Sequence, residues 1–219
     1  LFSLSLTTLF ARAVVLLTAL PVHEAAHAYA AEKMGDSTAR YSHRLTLNPL
    51  DHTDPLGAVM LLLFGVGFAK PVPVNSANFR DRKKGMFVTS IAGPLSNVGM
   101  AWLAMILCKL MTIVYYATSF SLARGAANVF AIMLMTNLSL AVFNLIPIPP
   151  LDGWHALMPF LSYETVYKVS RYEQYLVWVL LALLWLGVFD TPISFLTGLL
   201  YRLMDTTTFF MDFLLRVVL

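Results

Sequence analysis

An all-α protein that crosses a membrane several times is what this sequence predicts, on three grounds. Hydrophobic residues make up 58% of the 219 and charged residues only 12%, with a mean hydropathy of +0.72, far from the balance of a soluble domain. The apolar residues also fall into long runs. A hydrocarbon core about 30 Å thick needs roughly 20 of them per helix, which leaves room for about four to six spans. Charges and prolines collect between the runs. One integral membrane domain over residues 1–219 is expected, with a core near 6–159 and further C-terminal helices near 174–219.

The first helix is expected over residues 6–34, with Arg12 near its start and Gly35-Asp36 as a stop signal. Residues 37–55 are polar and broken by Asn48-Pro49 and Asp54-Pro55, which reads as an ordered loop or short strands. Residues 56–69 are apolar, but fourteen residues with three glycines suit a short or re-entrant segment better than a span. Lys70-Pro-Val-Pro-Val-Asn75 alternates, and its prolines confine it to an edge strand or polyproline conformation, a small β-hairpin-like element at the membrane surface. The cluster Arg80, Arg82, Lys83 and Lys84 follows and, by the positive-inside rule, faces the cytoplasm.

A second span is expected over 86–116, where Gly93-Pro94-Leu95-Ser96-Asn97 permits close helix contact. A third covers 126–146 and is ended by Pro147, Pro149 and Pro150, with Asp152 just past the break. Residues 154–163 suit a short helix, 164–173 a polar connection and 175–189 another apolar run. After Asp190-Thr191-Pro192, the last segment spaces Arg202, Asp205, Asp212 and Arg216 by three, seven and four residues. That is a polar stripe on an apolar helix, as in an interfacial helix or a packing seam.

Composition excludes several functions. Cys108 is the one cysteine, so neither an intrachain disulfide nor a set of thiolate ligands is available. The formal charge of +3 is small and concentrated in one loop, which argues against nucleic acid as a partner. The first twenty residues run directly into a chemically loaded motif and read as part of a span rather than as a cleavable leader.

That motif is His23-Glu24-Ala25-Ala26-His27. On a helix, residues four apart share a face, so His23 and His27 can chelate one metal ion while Glu24 lies beside them. Catalytic zinc takes three protein ligands and keeps one position open, and Asp152 is the carboxylate that completes the set. A dication, two neutral imidazoles, one carboxylate and a hydroxide sum to zero charge, which low dielectric tolerates. Glu24 is placed to take a proton from water and pass it to a departing amine, so peptide hydrolysis is the expected chemistry. Two structural alternatives stand beside this reading. The histidines could be packing residues paired with nearby carboxylates, and Asp152 could serve as a helix N-cap after the prolines.

The His-Glu-x-x-His helix, the Gly93 to Asn97 element and Asn144-Leu-Ile-Pro-Ile-Pro-Pro-Leu-Asp152-Gly153 together resemble the site-2 proteases, intramembrane zinc metalloproteases. Gly35-Asp36, Arg44-Leu-Thr-Leu-Asn-Pro49, His52, Asp54-Pro55 and Ala69 to Asn75 resemble their compact bacterial branch, and no insert is large enough for a PDZ domain. The resemblance implies a core of three helices that opens toward the cytoplasm in a bacterial inner membrane. It implies one zinc per chain on His23, His27 and Asp152, with Glu24 as the base. Asn144 and Asn97 would sit near the metal and position the substrate, or else act as interhelical glue.

Phe68 stands where that branch often has Trp, and His43 where a glycine is expected. His43 and His155 read as interfacial residues. The expected partners are the bilayer and single-pass membrane proteins or leftover signal peptides. A substrate helix hides its amides, so Val72 and Val74 could hold an unwound substrate by strand addition, unless 70–75 is an ordinary stiff loop. Two other functions compete. A metal transporter would show paired halves, which are not visible. A client-binding protein without catalysis would not need a base beside its metal.

Overall fold

The computed structural model describes residues 5–64, 67 and 69–218; Phe68 lies outside them. Ten α-helices are present among the described residues: α1 Leu6–Met34, α2 Thr38–Tyr41, α3 Pro49–His52, α4 Pro55–Phe64, α5 Arg82–Thr118, α6 Ser121–Asn144, α7 Asp152–Leu157, α8 Tyr163–Trp185, α9 Asp190–Thr207 and α10 Phe209–Val218. The protein is an all-α polytopic membrane protein. Helices α1, α5 and α6 are long and apolar enough to span a membrane. The pair α8 and α9, bent by 80°, would add a fourth span, so the count lies at or below the low end of the four to six that length allows.

The core is the seam between these three helices. Val15, Ala19 and Leu20 of α1 meet Ala101, Ala104 and Met105 of α5 and Met133, Leu134 and Leu138 of α6. Alanines at these positions let the backbones approach closely, and without a hydrophobic drive inside lipid such packing is what holds spans together. Large apolar side chains such as Phe10, Leu17, Leu103 and Trp178 are exposed, as lipid contact requires.

The expected first helix matches α1 at both ends. Ser5 caps the Thr8 amide at its start, and Gly35 ends it with φ 115, a left-handed turn that glycine adopts freely. Segment 56–69 enters as the ten-residue α4, and the guanidinium of Arg12 reaches from α1 to the carbonyls of Leu62 and Leu63 at 3.0 and 2.9 Å. The last carbonyls of a helix have no intrahelical donor, so the cation caps the helix end. The returning chain makes one isolated antiparallel bridge, Thr53 to Ala69.

Three readings change. Residues 70–75 leave the edge-strand alternative for the polyproline or stiff-loop one, since they form no ladder with another strand among the described residues. The polar stretch 164–173 is helix, the first half of α8, capped by Ser162. The last segment is two helices broken at Thr208, and its stripe has a partner on the second span: Lys109 Nζ bonds Asp205 at 2.6 Å and Asp212 at 2.7 Å. The spacing of the acids showed a seam but not the cation that would fill it.

Candidate metal centre

One turn of α1 presents His23 and His27 on a buried face, and Asp152 arrives from the first residue of α7. The chain folds back there because the prolines after Ile146 stop α6, and because Gly153 lets α7 lie against the carbonyls of Leu145 and Ile146. Any side chain at 153 would overlap them. Asp152 Oδ2 then lies 3.2 Å from His23 Nε2 and 3.3 Å from His27 Nε2, and the two nitrogens are 3.0 Å apart.

Whether this triangle fits zinc can be tested on its edges. Ligands about 2.0–2.1 Å from a tetrahedral ion stand roughly 3.3 Å from one another. The three edges are close to that. Asp152 Oδ2 is also buried without a hydrogen-bond partner among the described residues, so its lone pairs converge on the same point as the imidazole nitrogens. His, His and carboxylate oxygen form a donor set that suits zinc. The residues fit the ion.

The second partners come from α5. The Nδ1–H of His27 donates to the Thr89 carbonyl at 2.7 Å, and the amide of Asn97, fully buried, lies 3.2 Å from His23 Nδ1. Between them sits Gly93, where a methyl group would overlap His27 Nε2 and the Cε1 atoms of both imidazoles. Residues 89, 93 and 97 repeat at four, so one face of α5 offers a carbonyl, a gap and an amide to the histidine pair.

Glu24 is buried and its Oε2 accepts from the Val72 N–H at 3.0 Å. It borders a cavity of about 340 Å³ that His27, Val72, Val74, Thr89, Asp152 and His155 also line. The expected edge strand is therefore a strap across this cavity. All but one of its amides are engaged or missing: Lys70 N–H bonds the His52 carbonyl at 2.8 Å, Val72 bonds Glu24, Asn75 bonds Asp36 at 2.7 Å, and Pro71 and Pro73 have none, which leaves the Val74 N–H without a partner among the described residues. Val72 is 9% exposed and Val74 38%, so Val74 is the valine open to a substrate.

Other candidates fall elsewhere. Asn144 ends α6, half-buried and outside the cavity wall, and Asn97 lies under His23 rather than in the cavity. His52 is buried and donates to the Thr46 carbonyl, away from the metal ligands. His43 has φ 55, the left-handed conformation that a glycine would take without strain. His155, read as interfacial, lines the cavity with its Nδ1–H held by the Leu151 carbonyl at 3.2 Å. Its spacing of three from Asp152 on one helix was the available signal.

Comparison with known proteins bears on this geometry. The family model described as Peptidase family M50 matches residues 11–187. "Putative zinc metalloprotease YwhC" of Bacillus subtilis (strain 168) is 37% identical over 181 residues, 83% of this chain and 80% of that protein. "Putative zinc metalloprotease Rip2" of Mycobacterium tuberculosis (strain H37Rv) is 31% identical over 194 residues, 86% and 71% of the two chains. Its namesake in Mycolicibacterium smegmatis is 30% identical over 164 residues, 73% of this chain and 60% of that one. No solved structure matches this chain.

Proposed function

The chain belongs to Peptidase family M50, the site-2 protease family, and is a metalloprotease; on that premise we propose that it is an intramembrane zinc endopeptidase cutting within or near the transmembrane segments of other proteins. The observation that carries this reading is the convergence of His23 Nε2, His27 Nε2 and Asp152 Oδ2 on one point beside Glu24, with both histidines and Glu24 on α1, a helix long and apolar enough to span a membrane. One zinc per chain would be held by those three residues. When bound, it supplies a Lewis acid for the scissile carbonyl and lowers the pKa of water toward neutrality.

The protein residues do the rest. Glu24, with Oε2 held by the Val72 amide, keeps its other oxygen for the attacking water, takes its proton and returns it to the leaving amine. Buried in low dielectric, the carboxylate has few competing partners. The strap confines the entry, and an unwound substrate finds its exposed backbone partner at Val74, whose N–H has no partner among the described residues. Substrates of this kind are single-pass membrane proteins or leftover signal peptides.

The site faces the cytoplasm of a bacterial inner membrane in this reading. Arg80 N–H bonds the Met34 carbonyl at 3.0 Å, which brings the basic cluster 80–84 beside the end of α1 that carries the motif and Lys33. Cations on one side of the spans mark the cytoplasmic face.

Cleavage of single-pass substrates by the detergent-solubilised protein, beside Glu24→Gln with zinc content measured for both, tests the reading. Glu24→Gln should keep zinc near one per chain and lose cleavage by at least about 10²-fold. Equal turnover in the variant would remove Glu24 as the base, and a zinc-free wild type would remove the metal site.

A further inference from the structure

We propose that Asn97 fixes the tautomer of His23 by accepting a hydrogen bond through its side-chain oxygen, and so determines which imidazole nitrogen meets the metal. This rests on His23 being a ligand. Three observations lead to it.

First, His23 Nε2 is the atom that faces His27 Nε2 and Asp152 Oδ2, so that nitrogen must carry the lone pair if it is to ligate. In a neutral imidazole the proton then sits on Nδ1, and Nδ1–H needs an acceptor. The partner of His23 Nδ1 is the amide of Asn97 at 3.2 Å. With Nδ2 toward the ring, that amide would donate, the ring proton would move to Nε2, and the proton would occupy the metal position.

Second, Asn97 Oδ1 is buried with no hydrogen-bond partner among the described residues, in a side chain with no exposed surface. The oxygen and nitrogen of a side-chain amide have nearly the same shape, so rotation about the last torsion exchanges them without a change in packing. One rotation gives the oxygen a donor and His23 its acceptor, and it carries the amide nitrogen to the place the oxygen held.

Third, the neighbouring ligand is already built this way. His27 Nδ1 meets the Thr89 carbonyl, which can only accept, so the His27 proton is on Nδ1 and Nε2 is free. Thr89 and Asn97 stand eight residues apart on one face of α5, opposite His27 and His23 four apart on α1, with Gly93 between them as the gap that admits both rings. Asn97 thereby repeats for one imidazole what a backbone carbonyl does for the other. It is a positioning residue, sealed from the substrate, and acts through His23.

The substitutions that separate acceptor from donor are Asn97→Asp, which accepts only, and Asn97→Leu, which keeps the shape and does neither. Zinc affinity of the full chain in detergent is measured by competition with a chromophoric chelator. Asn97→Leu should bind zinc about 10- to 100-fold more weakly, and Asn97→Asp within a few-fold of wild type or tighter. Loss in Asn97→Asp as deep as in Asn97→Leu, with both proteins eluting and melting as folded, would overturn the proposal, as would unchanged affinity in Asn97→Leu. A wild type that binds no zinc would instead overturn the ligand reading. If either variant fails to fold, nitrogen-15 spectra of labelled histidine in the metal-free wild type decide, with His23 assigned by its loss in His23→Gln. A proton on Nδ1 supports the proposal and one on Nε2 overturns it.

Discussion

Gly93 carries no reactive atom, yet the site depends on its lacking one. A methyl group there would occupy the space of both imidazole rings, and close-packed helices cannot yield by the width of a methyl without moving the ligands. Gly93→Ala should therefore lower zinc content well below one per chain and cut activity by at least about 10²-fold, since an ångström of misplacement is enough. Full zinc loading and normal turnover in that variant would show that α5 stands off from the rings. Asp36 makes a different demand. It is fully buried past the end of α1 and accepts from the Thr38 amide and hydroxyl, the Asn78 amide and the Asn75 N–H. Burial alone would raise its pKa, but the donors from Thr38, Asn78 and Asn75 outweigh burial and hold it below the ordinary carboxylate value. A lowered carboxylate pKa contributes stability that is complete above the unfolded value of about 4 and is lost as pH falls through the folded one. Thermal unfolding in detergent should show Asp36→Asn destabilised by about 2 kcal/mol across pH 5 to 8, with the gap closing below about pH 4. A gap that stays constant down to pH 2 would contradict the charge-based account. His23, Glu24 and His27 were legible because helix spacing alone puts them together. Asn97 was singled out in the sequence as a candidate beside the proposed metal site but not as the partner of His23, a contact across 74 positions that needs two helices in register.

Among the elements, the strap at 70–75 shows most clearly what patterning can and cannot reveal. Alternation and prolines pointed to a stiff segment outside the helices, and residues 70–75 form neither helix nor ladder among the described residues. The pattern could not show that the amides of Lys70, Val72 and Asn75 were taken, because the acceptors, His52, Glu24 and Asp36, lie outside it. The strap is pinned at both ends, with Arg44 Nη2 also donating to the Lys70 carbonyl at 2.7 Å, and in the middle it holds the Glu24 carboxylate. Val72→Pro deletes that single donor and keeps the extended backbone. Zinc content should remain that of wild type while kcat falls about 10-fold or more with KM little changed, because the lost contact orients the proposed base rather than a substrate. Val74→Pro removes the amide open to a substrate, so it should raise KM instead. Equal effects of the two substitutions on KM would return both valines to a common substrate-binding role. The same limit of local pattern explains α8. Residues 164–173 are too polar for a span and were read as a connection, but Ser162 caps a helix there, with Glu164 in its first turn and Lys168 bonded to it one turn later.

The molecule as a whole carries charge at both ends of its longest helix. At about 1.5 Å per residue, α5 is roughly 55 Å long, more than a bilayer core of about 30 Å requires. Its first turns hold the basic cluster and the second partners of the ligands, and Lys109 lies about 30 Å beyond Thr89. There it draws α9 and α10 onto α5 through Asp205 and Asp212, while Trp102 Nε1 bonds Thr207 at 2.8 Å. Lysine is mostly buried at this junction and the two carboxylates are about two-fifths exposed, so the attraction is partly screened. Lys109→Met keeps the length of the side chain but leaves two carboxylates facing each other without a cation. It should cost about 1–3 kcal/mol and lower the melting temperature by several degrees, with zinc affinity unchanged because Lys109 lies at least about 18 Å along α5 from the residues that meet the histidines. Adding Asp205→Asn and Asp212→Asn to Lys109→Met should restore most of the loss, since a whole ion group exchanged for neutral residues is tolerated where a broken one is not. If the triple variant stays as unstable as the single one, the C-terminal helices are held by apolar packing through the lysine stem and not by charge. A fall in zinc affinity in Lys109→Met would mean that the two ends of α5 are mechanically coupled.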